Sequence, residues 1–382
     1  MTTPLDYEFL RIVWWGLLGV LLIGFTLTDG FDLGVATLLP FVARTDAERR
    51  MTINTVGPTW EGNQVWFILG GGTIFAAWPF VYAVAFSGFY LAMFLVLAAL
   101  ILRPVGFKYR SKRASAGWRA SWDWALFVGG FVPALVFGVA VGNVMLGAPF
   151  RLDDDLRSTY LGSLLGLFTP FALVCGLLSV AMIVLHGAAW LTVKAELGPV
   201  RDRARGFGAV AAVATIVLFA LGGAFVRFGG VGYKLVGAAD PLGASNPLRS
   251  VVAKAPGAYL GNFAAHPWMW IAPALGFLGA VIALVGVRSG RSAAALGGSS
   301  AAATGIIATV GLGMFPIILP SSVDARSGLT VWDASSSQAT LFNMLLAVII
   351  FLPLVLGYTA WVYKVLWGRA DTATILASHD YY

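Results

Sequence analysis

Three acidic side chains lie in apolar stretches of the sequence, where a charged group is costly. They are Asp29, Asp32 and Glu61, whereas most of the 18 acidic residues fall in predicted loops or tails. A charge inside a membrane segment is so unfavourable that it marks a functional candidate. Asp29 and Asp32 are three residues apart, so they share one face of a helix.

Glu61 belongs to the segment 60–66 (WEGNQVW), in which Gln64 shares its helix face. A carboxyl group held away from water can take up and release protons near neutral pH. We therefore predict that Asp29, Asp32 and Glu61 form part of a proton-uptake path rather than a catalytic centre. Two alternatives stay open: Glu61 only complements the dipole of its helix, and the aspartates lie in a hydrated helix end.

The histidines give no pair of ligands for a haem. His186 is the one embedded in a predicted span, whereas His266 begins a span at the surface and His379 lies in the tail. Axial ligation by two side chains needs a facing pair. We interpret His186 as a packed polar residue, and we predict that this chain ligates no haem and no other metal.

Other features have simpler interpretations. Asp123 lies at the edge of a span and is interpreted as an interface residue, and glycines 70–72 are interpreted as a site of tight helix packing. Asp333 and nearby hydroxyl residues could cap the last span or contact a partner subunit. Most of the 14 tryptophans are predicted interfacial anchors; Trp60 and Trp66 could instead line a route for dioxygen or quinone.

The composition indicates the elements that must position these residues. Of 382 residues, 59% are apolar and 11% are charged, and the mean hydropathy is +0.83. A soluble domain carries roughly 25% charged residues. These values exclude a soluble globular enzyme, a disordered chain and a fibrous protein. A single cysteine, Cys175, excludes a disulfide framework and a multi-cysteine metal site within this chain.

Charge-free stretches predict an all-α polytopic membrane protein with about nine transmembrane helices. A helix needs roughly 20 apolar residues to cross a bilayer, so the uncharged stretch 62–102 must hold two spans, broken at Trp78-Pro79. We predict one integral membrane domain over 1–382, with its longest loop at 229–266 outside the cytoplasm. The predicted spans lie near 9–42, 52–76, 80–103, 121–146, 160–193, 206–228, 267–287, 298–320 and 337–366.

The basic residues predict the orientation. Alternating spans place 17 of the 25 Lys and Arg residues on one side, which the positive-inside rule assigns to the cytoplasm. The N-terminus is then outside and the C-terminus is cytoplasmic. The net charge of +7 is explained by orientation signals and contacts with the lipid membrane, so no nucleic-acid partner is predicted.

Several segments together resemble subunit II of the cytochrome bd-type quinol oxidases. They cover the chain from end to end and are densest in the first 112 residues and after about 316. The matching segments are 28–34 (TDGFDLG), 60–66 (WEGNQVW), 75–79 (FAAWP), 85–90 (AFSGFY), 103–110 (RPVGFKYR), the loop 320–333 and 358–361 (YTAW).

The resemblance implies two four-helix bundles plus one peripheral helix, in a bacterial cytoplasmic (inner) membrane. It implies a partner, subunit I, that carries two haem b groups, one haem d and the site of quinol oxidation. The assembly then reduces dioxygen to water with cytoplasmic protons and builds a proton-motive force. Small single-helix accessory subunits and a structural quinone are further features that the resemblance allows.

The resemblance also gives roles to single residues. It places Glu61 on the proton route at a position where many members have Asp, and it implicates the position of Asp29. Trp66 matches a position near a proposed dioxygen route. From the residues alone, two other functions remain: a proton-coupled secondary transporter, and a scaffold with structural acids. Transporters usually contain inverted repeats. The transporter is less favoured because the later spans show no counterpart of the acids in the first two.

Overall fold

The computed structural model describes residues 3–237 and 240–377, and these residues are mainly helical. In chain order the helices are α1 (Tyr7–Val42), α2 (Asp46–Asn54), α3 (Trp60–Ala77), α4 (Pro79–Gly88), α5 (Tyr90–Tyr109), α6 (Ala116–Leu146), α7 (Pro170–Lys194), α8 (Pro199–Phe228), α9 (Gly261–Ala265), α10 (Ile271–Ser289), α11 (Ser292–Met314), α12 (Gln338–Val365) and α13 (Thr372–Ala377). Short connecting 3₁₀ turns complete the helical structure. His379 lies outside the described residues.

Six short strands form three antiparallel pairs between helices. They are β1 (Phe150–Leu152) with β2 (Ser158–Tyr160), β3 (Tyr233–Val236) with β4 (Val251–Lys254), and β5 (Ile317–Leu319) with β6 (Leu329–Thr330).

Eight described helices are long and apolar enough to cross a membrane: α1, α5, α6, α7, α8, α10, α11 and α12. The all-α polytopic fold is therefore confirmed. The predicted span 52–76 differs, because its start belongs to the separate helix α2 and only α3 remains. Helix α3 has 18 residues, but its polar first turn keeps it outside the set of eight. The predicted span 80–103 is α4 and α5, which meet at Phe89.

The long helices form two four-helix bundles and one peripheral helix. The first bundle contains α1, α3, α5 and α6, and the second contains α7, α8, α10 and α11. Helix α12 packs against α1 and α3 and leaves most of its surface exposed. This arrangement confirms the architecture that the resemblance implied.

The two bundles touch through backbone where α1 crosses α7. A Cβ atom on Gly34 would overlap the carbonyl oxygen of Ile183, and one on Gly187 would come within 2.5 Å of Gly34. Small residues allow membrane helices to approach this closely. Gly30, the other glycine of the G-x-x-x-G pattern, has no neighbour closer than 3.6 Å to such an atom. Only one of the two glycines is therefore required by packing.

The prediction of tight packing at glycines 70–72 is wrong for this chain. A Cβ atom at any of the three would meet no described atom within 4 Å. The close contact of α3 is made instead by Trp66, whose ring would lie 2.8 Å from a Cβ on Gly24 of α1. The close approach of α3 to α1 is therefore made by a large ring over a glycine, and not by glycines 70–72.

The connections divide between two ends of the molecule. The basic end holds α2, α13, the last turns of α1, α5, α7, α10 and α12, and the first turns of α3, α6, α8 and α11. The hairpin end holds the three strand pairs. Within the loop 229–266, Tyr233 and Tyr259 are buried and donate hydrogen bonds to carbonyls at the end of α6, 2.8 and 3.1 Å away. This loop therefore has a small core, which the sequence pattern did not indicate.

Arg11 joins distant parts of the chain at the hairpin end. Its side chain is fully buried and its guanidinium donates to the carbonyls of Pro241 and Gly243 and to the hydroxyls of Ser245 and Ser335. The ring of Tyr7 lies 3.5 Å from the guanidinium carbon. The start of α1 is thereby attached to two loops that come far later in the sequence.

Candidate functional site

An ion pair lies buried inside the first bundle. Arg103 of α5 donates two hydrogen bonds to Asp29 of α1, at 2.6 and 3.0 Å, and both side chains are 1% exposed. Two parallel bonds between a guanidinium and a carboxylate are a strong and directional arrangement. Because both charges are removed from water, losing either partner would leave the other uncompensated.

Asp32 lies one turn further along α1 and has different partners. Its Oδ2 accepts a 2.8 Å hydrogen bond from Asn63 of α3, and the Oδ1 of Asn63 accepts a 2.6 Å bond from the hydroxyl of Tyr363 on α12. Asp32 is fully buried, yet its Oδ1 has no hydrogen-bond partner among the described residues. This line of hydrogen bonds connects three helices.

Among the described residues, Glu61 does not join this buried network. It lies in the first turn of α3 with 66% of its side chain exposed, and the ammonium group of Lys108 is 3.8 Å away. An exposed pair of this kind contributes little to stability. The expectation of three acids held away from water therefore applies to Asp29 and Asp32, and not to Glu61 on the surface of this chain.

Trp60 and Trp66 lie on α3 with their rings buried. Trp60 packs against Phe107, with ring centroids 5.3 Å apart, and its indole N–H has no hydrogen-bond partner in the described part of the chain. Trp66 covers Gly24 of α1. Both rings therefore fill the core of the first bundle rather than anchoring it at an interface.

A cluster of charges closes the basic end. Asp123 is buried and accepts hydrogen bonds from Arg110 at 2.5 Å and Arg49 at 2.7 Å, while Asp46 accepts from Arg110 and Arg119. The interpretation of Asp123 as an interface residue is therefore wrong. Its neighbouring tryptophans suggested an exposed edge, but arginines that come from other helices enclose the carboxylate.

Glu48 attaches α2 to the second bundle. Its carboxylate accepts from Arg203 of α8 at 2.8 Å and from the backbone N–H groups of Arg44 and Thr45. Partial burial raises the pKa of Glu48, but these hydrogen bonds outweigh it, so the pKa lies below its ordinary value.

The cap of α12 is Ser337, which accepts from the N–H of Thr340. Asp333, which was also expected there, instead accepts a 2.9 Å hydrogen bond from the N–H of Thr330. Burial raises the pKa of Asp333. The capping prediction thus holds for a hydroxyl residue and fails for Asp333.

The side chain of His186 does not fit a haem ligand. It is buried, and its ring nitrogens are 2.8 Å from the hydroxyl of Ser299 and 3.1 Å from the carbonyl of Leu27. Both nitrogens are therefore engaged within the chain. Residues 3–237 and 240–377 contain no cluster of three or more His, Cys, Asp or Glu side chains that could hold a metal ion.

Sequence reasoning missed three members of the buried network. The positive-inside rule predicts Arg103 as a loop charge, because it follows a long apolar stretch and precedes Pro104. Asn63 and Tyr363 were not singled out. An amide so close to Glu61 at the start of an apolar helix was a usable signal for Asn63, whereas nothing in the local sequence distinguishes Tyr363 from other aromatic residues of α12.

A sequence model described as cytochrome bd terminal oxidase subunit II matches residues 10–366. The chain belongs to this family. It is therefore a subunit of a membrane-bound oxidase complex, an oxidoreductase, and the alternative of a secondary transporter is not favoured. The matched range includes every segment on which the resemblance was based.

Similar proteins agree with this family along almost their full length. The chain is 48% identical to cytochrome bd-I ubiquinol oxidase subunit 2 of Escherichia coli, with 96% of each chain covered. It is 47% identical to a probable cytochrome oxidase subunit 2 of Haemophilus influenzae, over 96% of this chain and 97% of that one. The structure of a bd oxidase from Geobacillus thermodenitrificans has a similar fold, with a TM-score of 0.68 at 16% identity over 94% of this chain and 98% of that chain.

Proposed function

We propose that this chain pairs with a larger, haem-bearing subunit I in a quinol:dioxygen oxidoreductase and supplies part of its proton-uptake path. The observation that carries the proposal is the buried group of Asp29, Arg103 and Asp32, because a membrane chain retains charges in its interior at a high energetic cost. Two haem b groups, one haem d and the quinol-oxidation site are assigned to the partner.

The assignment of the haems to the partner rests on the chemistry of this chain's own side chains. Both ring nitrogens of His186 are used by Ser299 and Leu27, and His266 lies exposed at the hairpin end. When bound in the partner, the haems supply the electron transfer and the reduction of dioxygen. This chain contributes carboxyl groups that accept and release protons on the way to that site.

Protons are proposed to come from the basic end, which we assign to the cytoplasm of a bacterium by the positive-inside rule. Glu61 lies at this end and is exposed on the chain surface, where it can exchange protons with water or with a partner group. Asp29 and Asp32 lie deeper. This orientation places the N-terminus outside the cell and the C-terminus in the cytoplasm.

Trp60 and Trp66 are proposed to border an apolar route for dioxygen or quinone along α3. Support comes from their burial in the first bundle and from the exposed apolar side chains that follow on the same helix, Ile68 and Leu69. Single-helix accessory subunits and a structural quinone remain further proposals, with α12 offering a long exposed apolar face for a neighbour.

Purification of the tagged chain from its membrane tests the complex. We expect haem absorbance in a reduced-minus-oxidised spectrum, together with a second, larger subunit. A colourless single chain that purifies without a partner would contradict the proposal.

Glu61→Gln tests the proton path, because the amide keeps the shape of the side chain but cannot carry a proton. We expect quinol oxidase turnover to fall at least about tenfold with the haem spectrum unchanged. The matched control is Glu8→Gln, in the first turn of α1 at the other end of the molecule. Unchanged turnover in Glu61→Gln would remove Glu61 from the path.

A further inference from the structure

A cavity of about 290 Å³ opens at the basic end between α2, α7 and the segment that follows α12. We call it the vestibule. Its polar and charged lining comes from Asn54, Thr55, Thr59, Lys194, Tyr363, Arg369 and Asp371. Glu61 is not part of this lining. The vestibule is therefore a second polar opening on the side of the molecule that we assign to the cytoplasm.

The walls of the vestibule are held by specific contacts. The ammonium group of Lys194 donates to the carbonyls of Leu366 and Gly368, each 2.6 Å away, which fixes the chain after α12. Trp190 donates to the carbonyl of Thr55 at 3.1 Å and its ring stacks on Phe31 with centroids 3.9 Å apart. These contacts hold α7 and the chain after α12 on two sides of the opening.

The inner end of the vestibule leads to Asp32. Tyr363 lines the cavity and donates its hydroxyl hydrogen to Asn63, which in turn donates to Oδ2 of Asp32. Asn63 is 2% exposed, so it separates the cavity from the acid. No hydrogen bond of the described residues links Asp32 to Glu61. The hydrogen bonds through Asn63, in contrast, link Asp32 to the vestibule.

The amide of Asn63 interrupts any proton transfer along this line. An amide has no proton that it exchanges readily near neutral pH, in contrast to a hydroxyl or a carboxyl group. Oδ1 of Asp32 has no partner among the described residues, so the acid can accept one more hydrogen bond. A water molecule that took the place of the amide would connect the hydroxyl of Tyr363 with Asp32.

We propose that the vestibule is a second proton inlet to Asp32, with Tyr363 as its innermost relay and Asn63 as its gate. When the side chain of Asn63 turns aside, water bridges the two groups. A proton then passes from vestibule water through the Tyr363 hydroxyl, which gains one proton as it gives up another, to the Asp32 carboxylate. The inference rests on the proposed function, since it assumes that Asp32 receives protons for the oxidase.

The test uses the whole oxidase complex in a background that carries Glu61→Gln, so that the residual turnover reports the second inlet. Asn63→Ser replaces the amide with a smaller hydroxyl that can relay a proton and leaves space for water. We expect the residual turnover to rise several-fold. Adding Tyr363→Phe should abolish that gain, because phenylalanine keeps the ring but cannot bond to water.

A role of Asn63 in structure alone predicts the opposite sign, namely lower turnover or lower haem content in Asn63→Ser. Unchanged or reduced turnover with intact haem content overturns the inference, as does complete loss of turnover in Glu61→Gln alone. Tyr358→Phe is the matched control, since Tyr358 lies on the same helix with 66% of its side chain exposed. It should leave each background unchanged.

Failure of the Glu61 path can be distinguished from failure of the inlet. If Glu61→Gln turns over at the wild-type rate, the Glu61 path fails and Tyr363→Phe alone decides: a loss of turnover supports the inlet, and no loss overturns it.

A second measurement does not depend on turnover. In a Cys175→Ala background, Thr59→Cys should react with a charged maleimide added from the cytoplasmic side, and a lack of reaction in the assembled complex overturns the inlet.

Discussion

The first bundle has charged and amide side chains at its centre, whereas two helices of the second bundle pack closely through glycine and alanine. In the first, Asp29 and Arg103 are paired and Asp32 contacts Asn63. In the second, α10 and α11 approach until a Cβ atom on Gly279, Gly286, Gly298 or Gly305 would overlap backbone of the opposing helix.

This difference separates two roles within one membrane protein. Close backbone packing needs no charge and leaves no space for water, so it suits a scaffold. Buried charges cost free energy and must be compensated residue by residue. The comparison therefore predicts that substitutions in the buried charge network of the first bundle change turnover, and that those at the contact between α10 and α11 change stability alone.

The largest effect is expected for Arg103→Leu. The substitution leaves Asp29 buried without its partner, which costs about 3–5 kcal/mol. We expect the assembled complex to be lost, as measured by haem content per tagged chain. The double variant Asp29→Leu with Arg103→Leu removes both charges and should recover assembly without turnover. Normal assembly of Arg103→Leu would show that the pair is not needed to build the first bundle.

A smaller effect on stability is expected in the second bundle. Gly279→Ala places a methyl group against the backbone of Ala302, and such overpacking costs about 1–3 kcal/mol. The thermal midpoint of the complex should fall while turnover per haem stays the same. Gly222→Ala is the control, because no described atom lies within 4 Å of its Cβ position and alanine favours a helix by about 1 kcal/mol. A change in turnover per haem in Gly279→Ala would break the division of roles.

The smallest effect concerns Glu48, which joins the two regions through Arg203. Its pKa is lowered in the folded chain, so the stabilisation is present above the ordinary pKa of 4.5 and is lost as the pH falls through the lower folded value. The contribution of this partly exposed pair is about 1 kcal/mol at most. Thermal midpoints measured from pH 7 to pH 3 should therefore decline less in Glu48→Gln than in the wild type, and equal declines would contradict this assignment.

The sequence predicted the membrane fold well because hydropathy and charge act locally along the chain. The all-α membrane fold and the burial of Asp29 and Asp32 follow from apolar stretches and the acids within them, whereas the two bundles were implied by the family resemblance. The partners of those acids could not be predicted in this way. Arg103, Asn63 and Tyr363 reach the site from three other helices, and their placement depends on helix rotation and packing, which a single sequence does not encode in any local pattern.

Glu61 and Asp123 show that the local sequence does not predict whether an acid is buried. Both lie at the same end of the molecule in similar tryptophan-containing segments. Asp123 is buried because Arg49 and Arg110 converge on it, whereas 66% of the Glu61 side chain stays exposed among the described residues. The burial of an acid therefore depends on residues from other helices, and not on its own segment of sequence.

The contacts of Arg11 have a consequence for how the chain is made. Its four acceptors lie at positions 241, 243, 245 and 335, so the partners of a residue in the first helix are synthesised only when most of the polypeptide has left the ribosome. The contacts at the hairpin end of the protein can therefore be completed only after the loop before α12 has been synthesised. A chain that stops before residue 335 leaves the buried guanidinium of Arg11 without one of its acceptors.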